Sequence, residues 1–266
     1  MLQPYYENEH GKLYCGDCLE IMPQLIVDGV KVDMVLCDLP YGVTACKWDA
    51  VIPFAPLWAT YGDIVKEDGA IVLFSAGMFT ADLMCSNRDA WRYNLVWKNG
   101  NRTTGFLDAN RKPMRNHEDV CVFYKAQPTY NPQMTVGAEC HKRNATGEKQ
   151  RINSCYGNWK MLPTVITNQK YPISIVEFGT DFPQIYPTQK PVDLCRWLIK
   201  TYTNDGDSVL DNCAGSGSIL LAAQSTGRRF IGIDSSDAAC EIARKRLEGT
   251  IRQIEGQITM FGDTSR

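Results

Sequence analysis

The sequence predicts an α/β fold: a mainly parallel sheet with helices on both faces, interrupted by one irregular insertion. Three observations predict it. Short apolar runs alternate with helix-like stretches through the N-terminal third and again from Lys190 to Leu247, the pattern of strand–helix–strand units. Two of those runs, Val32–Cys37 and Val209–Asp211, lead into turns rich in chemistry. From Gln127 to about Tyr186 the alternation stops, and prolines, asparagines, glycines and lone aromatics replace it.

Taken in order, Leu13–Cys15 reads as a strand running through Gly16-Asp17-Cys18 into a helix over Leu19–Leu25. Val32–Cys37 is a second strand, Gly42–Trp48 a loop, Phe54–Val65 a helix and Gly69–Phe74 a buried strand. Tyr93–Lys98 and Asp119–Tyr124 read as two more strands, joined by a polar loop over Asn99–Glu118. A loop of that length suggests function or disorder rather than simple connection. After the insertion, Lys190–Ile199 repeats its apolar positions at helical spacing. A glycine-rich turn, a helix over Ile219–Thr226, the strand Arg229–Asp234 and a last helix over Asp237–Leu247 complete the chain. The expected organisation is a catalytic half at 1–129, an insertion at 130–186 and a cofactor half at 187–266.

The 266 residues, 44% hydrophobic and 22% charged, fit one α/β domain with an insertion. No run of about 18 apolar residues suggests a membrane span, and the N-terminal stretch has neither a basic nor an apolar signal region. Eleven cysteines, an odd number scattered over every kind of segment, argue for a reducing cytoplasm. Cys15-Gly16-Asp17-Cys18 has no second pair at zinc spacing, and Cys140-His141 with Cys155 makes a poor ligand set, so no metal is expected.

The net charge of −2 excludes a uniformly basic nucleic-acid-coating surface. The positive charge is local instead. Lys98, Arg102, Arg111, Lys112 and Arg115 fall in one segment, and Lys142, Arg143, Lys149, Arg151 and Lys160 in another.

Asp38-Leu39-Pro40-Tyr41 places a carboxylate, a backbone carbonyl freed by proline and an aromatic face at the carboxyl end of a strand. In α/β sheets that end is where ligands bind. Val209-Leu210-Asp211-Asn212-Cys213-Ala214-Gly215-Ser216-Gly217-Ser218 brings backbone N–H groups up to a bound ligand. Asp234, ending the next strand, stands where an acid grips the hydroxyls of an adenosine ribose. A purely structural βαβ turn is the alternative reading of these residues. Leu220 occupies the place of the third glycine that a dinucleotide fingerprint needs, and a Walker lysine is missing. An adenosyl cofactor with an amino-acid tail, S-adenosyl-L-methionine, fits better.

These motifs resemble those of amino-group (adenine-N6 or cytosine-N4) DNA methyltransferases. Asp38-Leu39-Pro40-Tyr41 resembles their D-P-P-Y catalytic motif, and Asp211–Ser218 their D-P-F-x-G-S-G-T cofactor motif. Thr188-Gln189-Lys190-Pro191 is similar to the preceding T-x-K-P segment, and Gly16–Leu19 to a short motif that contacts the cofactor adenine. Catalytic motif first and cofactor motif last is the permuted order of the β group. The resemblance implies a Rossmann-like S-adenosylmethionine-dependent domain whose target-recognition region is the insertion. Leu39 replaces the first proline, and Asn212-Cys213 replaces Pro-Phe, a change expected to loosen packing against the cofactor.

The resemblance implies direct transfer to an exocyclic amine, with Asp38 and the Leu39 carbonyl accepting its two hydrogens and Tyr41 stacking on a flipped base. The catalytic set is Asp38, Leu39, Pro40 and Tyr41. Asp38 also belongs to the cofactor set, with Asp17, Cys18, Lys190, Pro191, Asp211, Ala214, Gly215, Ser216, Gly217, Ser218, Asp234 and Ser235. No cysteine follows a proline, which removes cytosine-C5 chemistry. Asp38 favours adenine over cytosine-N4, since many of the latter enzymes carry serine there. A catalytically silent binding module keeping the fold is opposed by the intact Asp38, Pro40, Tyr41, Gly215 and Gly217. An RNA or protein-glutamine methyltransferase would carry its cofactor motif before the tetrapeptide.

Double-stranded DNA is the expected partner. Arg102, Arg111, Lys112 and Arg115 would form a mobile clamp on its backbone, while Lys142, Arg143 and Arg151 would serve the reading head. The resemblance also admits a homodimer and a separate restriction endonuclease as partners.

Overall fold

The computed structural model describes residues 2–44, 46, 49–100, 102–140, 167–181, 184–186 and 188–249. They form two compact units, Met1–Asn131 with Ser174–Arg266, and Pro132–Ile173.

The larger unit carries β1 (Tyr6–Asn8), β2 (Gly11–Cys15), α1 (Cys18–Val27), β3 (Val32–Asp38), α2 (Phe54–Ile64), β4 (Val65–Ser75), α3 (Met78–Ser86), β5 (Trp91–Lys98) and β6 (His117–Phe123). The smaller unit holds the antiparallel pair β7 (Thr135–Cys140) and β8 (Thr167–Lys170). The larger unit resumes with β9 (Ile175–Glu177), α4 (Val192–Tyr202), β10 (Ser208–Asp211), α5 (Ser218–Ser225), β11 (Arg229–Asp234) and α6 (Asp237–Leu247).

Among the described residues the large sheet runs β1-β2-β11-β10-β3-β4-β6-β5-β9. The pairings from β2 through β11, β10 and β3 to β4 are parallel. Antiparallel β6 and β5 extend the sheet beyond β4. Central strands buried on both faces must be apolar throughout, which is why they read as continuous runs. Along β3, Met34 and Leu36 face the core under α4, α5 and α6, while Val35 and Cys37 face the core under α1, α2 and α3.

Two boundaries differ from expectation. The smaller unit ends at Ile173, not at 186, because β9 joins the large sheet in parallel with β5, pairing Val96 with Ile175. The Asn99–Glu118 segment is not an open loop. Thr104 and Arg115 exchange backbone hydrogen bonds of 2.7 and 3.0 Å, and the Asn99 N–H donates to the Asn116 carbonyl at 2.9 Å, so the segment is a pinned hairpin.

Candidate active site

Three neighbouring parallel strands, β11, β10 and β3, each end in an aspartate: Asp234, Asp211 and Asp38. The chain order reverses between β10 and β3, so a crevice opens at their carboxyl ends. A cavity of about 640 Å³ lies there, lined by all three carboxylates. That volume is typical of a small-molecule site.

At the β3 side, the Tyr41 hydroxyl donates to Asp38 Oδ1 at 2.8 Å, and Lys190 Nζ lies 3.0 Å from the same oxygen. Lys190 Nζ also donates to Glu118 Oε2 at 2.9 Å. Only 8% of Lys190 is exposed, which is rare for a lysine unless it is paired. Its ammonium lies 5.1 Å from the Phe74 ring centre, 5.8 Å from that of Tyr41 and 5.9 Å from that of Trp97, distances at which ring faces attract a cation. Tyr41 stacks on Phe79 with ring centres 4.9 Å apart.

Burial pushes the Asp38 carboxyl up; Lys190 pulls it back and Glu118 pushes it further, leaving it above the usual carboxylate range. For Lys190 burial disfavours the ammonium, but Asp38 and Glu118 outweigh that and hold it above its ordinary value. Burial, with the Asp38 charge next, drives the Tyr41 phenol well up. The turn after Tyr41 is shaped by Asp49, whose carboxylate accepts from the Gly42, Val43 and Thr44 N–H groups at 2.7–2.9 Å. Burial raises the Asp49 carboxyl, yet those bonds outweigh burial and hold it below its ordinary value.

At the β10–β11 side, the glycine turn is built on backbone donors. Gly215 N–H donates to Asp234 Oδ2 at 2.7 Å and Ser236 N–H to Asp234 Oδ1 at 2.9 Å. Gly16 N–H donates to the Asp234 carbonyl at 2.8 Å, drawing the end of β2 alongside. Burial raises the Asp234 carboxyl, against the pull of its two backbone bonds. Burial pushes Asp211 up to about 8 despite the bond from Cys213 N–H. Asn212 is 2% exposed and accepts from the Tyr61 hydroxyl at 2.6 Å, while its amide nitrogen lies 3.7 Å from the sulfurs of Cys18 and Cys213. The Asn-Cys pair is thus tied by hydrogen bonds into the protein beneath the cavity.

Most of the sequence-predicted residues meet in this cavity. Asp38, Leu39, Pro40 and Tyr41 line it, as do Asp17, Cys18 and Lys190. So do Asp211, Ala214, Gly215, Ser216, Ser218, and Asp234 with Ser235. Pro191 and Gly217 do not. Pro191 sits at the start of α4, its carbonyl accepting from Cys195 N–H. Gly217 has φ +74° and a Cβ there would come within 2.9 Å of Ala243 Cβ, so this glycine lets α5 approach α6. Lys190 lines the cavity with its ammonium on the Asp38 and Glu118 carboxylates.

Of the expected DNA contacts, Arg102 lines the cavity, while Arg111, Lys112 and Arg115 are exposed along the hairpin. Lys112 pairs with Asp108 at 3.4 Å. Lys142, Arg143 and Arg151 lie outside the described residues.

Sequence reasoning missed Glu118, Asp49 and Arg246. Arg246, 2% exposed on α6, donates through Nη1 to the Ser216 carbonyl at 2.7 Å and to the Ser216 and Ser218 hydroxyls at 3.0 Å, bracing the glycine turn. No local signal marks these three; a buried charge in a helix of otherwise ordinary pattern is recognisable only once its partner is placed.

Comparison with known proteins adds a family. A family model for N6/N4 enzymes, described as DNA methylase, matches residues 32–245. The chain is 25% identical over 263 residues to DNA adenine methyltransferase YhdJ of Escherichia coli (strain K12), covering 91% of this chain and 84% of that one. Among solved structures, the M1.HpyAVI–SAM complex superposes with a TM-score of 0.60 at 23% identity, over 89% of this chain and 99% of that one. The cytosine-N4-specific PvuII DNA methyltransferase superposes with a TM-score of 0.68 at 14% identity, over 97% and 93%. At such identities the two structures speak for the fold alone.

Proposed function

The chain belongs to the N6/N4 DNA methylase family, and from that premise we propose that it moves a methyl group from S-adenosyl-L-methionine to the N6 amine of a flipped adenine in double-stranded DNA. The observation that carries the reading is the single cavity in which the Asp38–Tyr41 pair and the Gly215–Asp234 turn face the same space. A methyl donor and an acceptor base need that adjacency, because holding two reactants in line removes much of the barrier.

Asp234 would accept from the ribose hydroxyls of the cofactor, Asp17 and Cys18 would border its adenine, and the Ala214–Ser216 turn with Asp211 would hold its methionine tail. The product would be S-adenosyl-L-homocysteine. The target amine is a weak nucleophile because its lone pair is delocalised into the ring. Asp38 and the Leu39 carbonyl accept its two hydrogens, and the nitrogen lone pair is turned towards the methyl group. Fixed acceptors placed where charge develops need no reorganisation during the reaction. Tyr41, backed by Phe79, offers its ring to the flipped base. A base stacked in a duplex cannot enter a recessed cavity, which is the reason for flipping.

Phosphate contacts come from Arg102, Arg111, Lys112 and Arg115 on the hairpin, and base-edge readout from the insertion with Lys142, Arg143 and Arg151. The enzyme works in the cytoplasm, where free thiols stay reduced. Cytosine-N4 transfer is the second reading, since the family covers both amines; the carboxylate at position 38 favours adenine.

Sequencing modified bases in DNA from cells expressing the protein tests this. N6-methyladenine at one short recurring site is expected. N4-methylcytosine there would replace the adenine assignment, and unmodified DNA would overturn the enzymatic reading.

A further inference from the structure

We infer that Glu118, acting through Lys190, is a positioning residue that orients Asp38 and sets the net charge of the methyl-transfer site. The inference rests on the methylase reading above. Glu118 is the second residue of β6, opposite Trp97 of β5. It lies on the antiparallel extension of the sheet, away from the three strands whose motifs announce the site.

The geometry is specific. Lys190 Nζ bridges Asp38 Oδ1 at 3.0 Å and Glu118 Oε2 at 2.9 Å, with only 9% of its side chain exposed. Tyr41 donates to that same Asp38 oxygen. Two donors on Oδ1 fix the carboxylate plane and, among the described residues, leave Oδ2 for the incoming amine. Phe74, Trp97 and Tyr41 stand around the ammonium with ring centres 5.1–5.9 Å away.

Charge gives Glu118 its purpose. A Lys190–Asp38 pair alone would be neutral, and Asp38 would be a weak acceptor facing a cationic sulfonium. With Glu118 the triad carries a single negative charge, matched to that cation. During transfer the amine lone pair forms the new C–N bond, and the C–S bonding pair returns to sulfur as a neutral thioether. The nitrogen then gives up one proton to the Asp38 carboxylate, which passes it to water. Removing Glu118 strengthens the hold of Lys190 on Asp38; removing Lys190 leaves two carboxylates in one low-dielectric pocket.

Other groups face Asp38 as well. Tyr41 is on its own turn, Cys37 precedes it on β3, Asp211 ends the adjacent β10, and Arg115 of the hairpin bears on Tyr41. None of these changes in Glu118→Gln, which keeps the shape of the side chain.

The test is the pH dependence of single-turnover methyl transfer, with S-adenosylmethionine and a DNA duplex, for wild type, Glu118→Gln and Lys190→Met. Circular dichroism checks each fold. The acidic limb should move to lower pH in Glu118→Gln and to higher pH in Lys190→Met, with Lys190→Met losing roughly tenfold or more in rate at neutral pH. Coincident limbs for wild type and folded Glu118→Gln would overturn the inference, and that variant decides alone should Lys190→Met not fold. A wild-type protein that transfers no methyl group would instead remove the methylase reading.

Discussion

Asp38 and Asp234 end parallel strands of one sheet, line one cavity and are both raised by burial, yet they are held by different means. Asp234 is gripped by backbone N–H groups of Gly215 and Ser236. Those donors are fixed dipoles that do not titrate. Asp38 is gripped by the side chains of Lys190 and Tyr41, with Glu118 behind. Charges and hydroxyls can be tuned or shifted; backbone dipoles cannot. A carboxylate set by backbone suits constant recognition of a cofactor. One set by a charged network suits a step in which its own charge matters.

The sharpest way to break that comparison is Asp38→Ala. Methyl transfer should fall by at least about 10²–10³-fold, the scale of losing one preorganised group at a reacting centre. Cofactor affinity should stay within a few-fold, since the main partner proposed for Asp38 is the target amine. Radiolabelled methyl transfer and calorimetry measure the two separately. Near wild-type transfer by Asp38→Ala would sink the proposed division of labour.

Asp234→Ala should invert the pattern. The two hydrogen bonds proposed from the ribose hydroxyls to this charged acceptor would be lost, weakening cofactor binding by roughly 100-fold or more. Transfer at saturating cofactor should change far less. Unchanged affinity in calorimetry would take Asp234 out of the site and erase the contrast with Asp38.

The same contrast explains what could be read from the sequence. Both ends of the cavity announce themselves through local motifs, because a strand end plus a turn is a short stretch of chain. The central strands were legible because burial on both faces makes them apolar throughout. By contrast α3 (Met78–Ser86) follows Gly77 at φ +62°, has no side-chain cap and no acidic residue in its first turn, so nothing in the sequence marks its start. β1 and β9 are three residues each and exist through their neighbours. Glu118 and Lys190 meet only because β6 sits beside β4 in the sheet. Lys190 also runs against the rule that a lysine faces water, and the rule fails where two carboxylates and three rings enclose it. The hairpin at Thr104–Arg115 was hidden because polar, glycine-bearing segments look alike whether pinned or open.

Asp211 ends β10, between the strands that carry the two aspartates, and its titration sharpens the comparison. Burial lifts its carboxyl to about 8, against an ordinary value near 3.9 for an exposed aspartate. Between those values the folded protein keeps a proton that the unfolded chain has released. The stability contribution is therefore full at low pH and is lost as pH rises towards about 8, at up to about 1.4 kcal/mol per pH unit. Above about 8 both states are ionised and the slope disappears. A bound cofactor reverses the balance, since its sulfonium and ammonium favour the ionised carboxylate. Cofactor affinity should thus rise with pH up to about 8 and the cofactor-induced increase in melting temperature should grow with it. Asp211→Asn should flatten both dependences while Asp234→Ala keeps them. Calorimetric melts with and without cofactor at pH 6, 7, 8 and 9 measure this. A wild-type and Asp211→Asn pair with parallel pH profiles would place the titrating charge elsewhere, with Asp38 as the next group to replace.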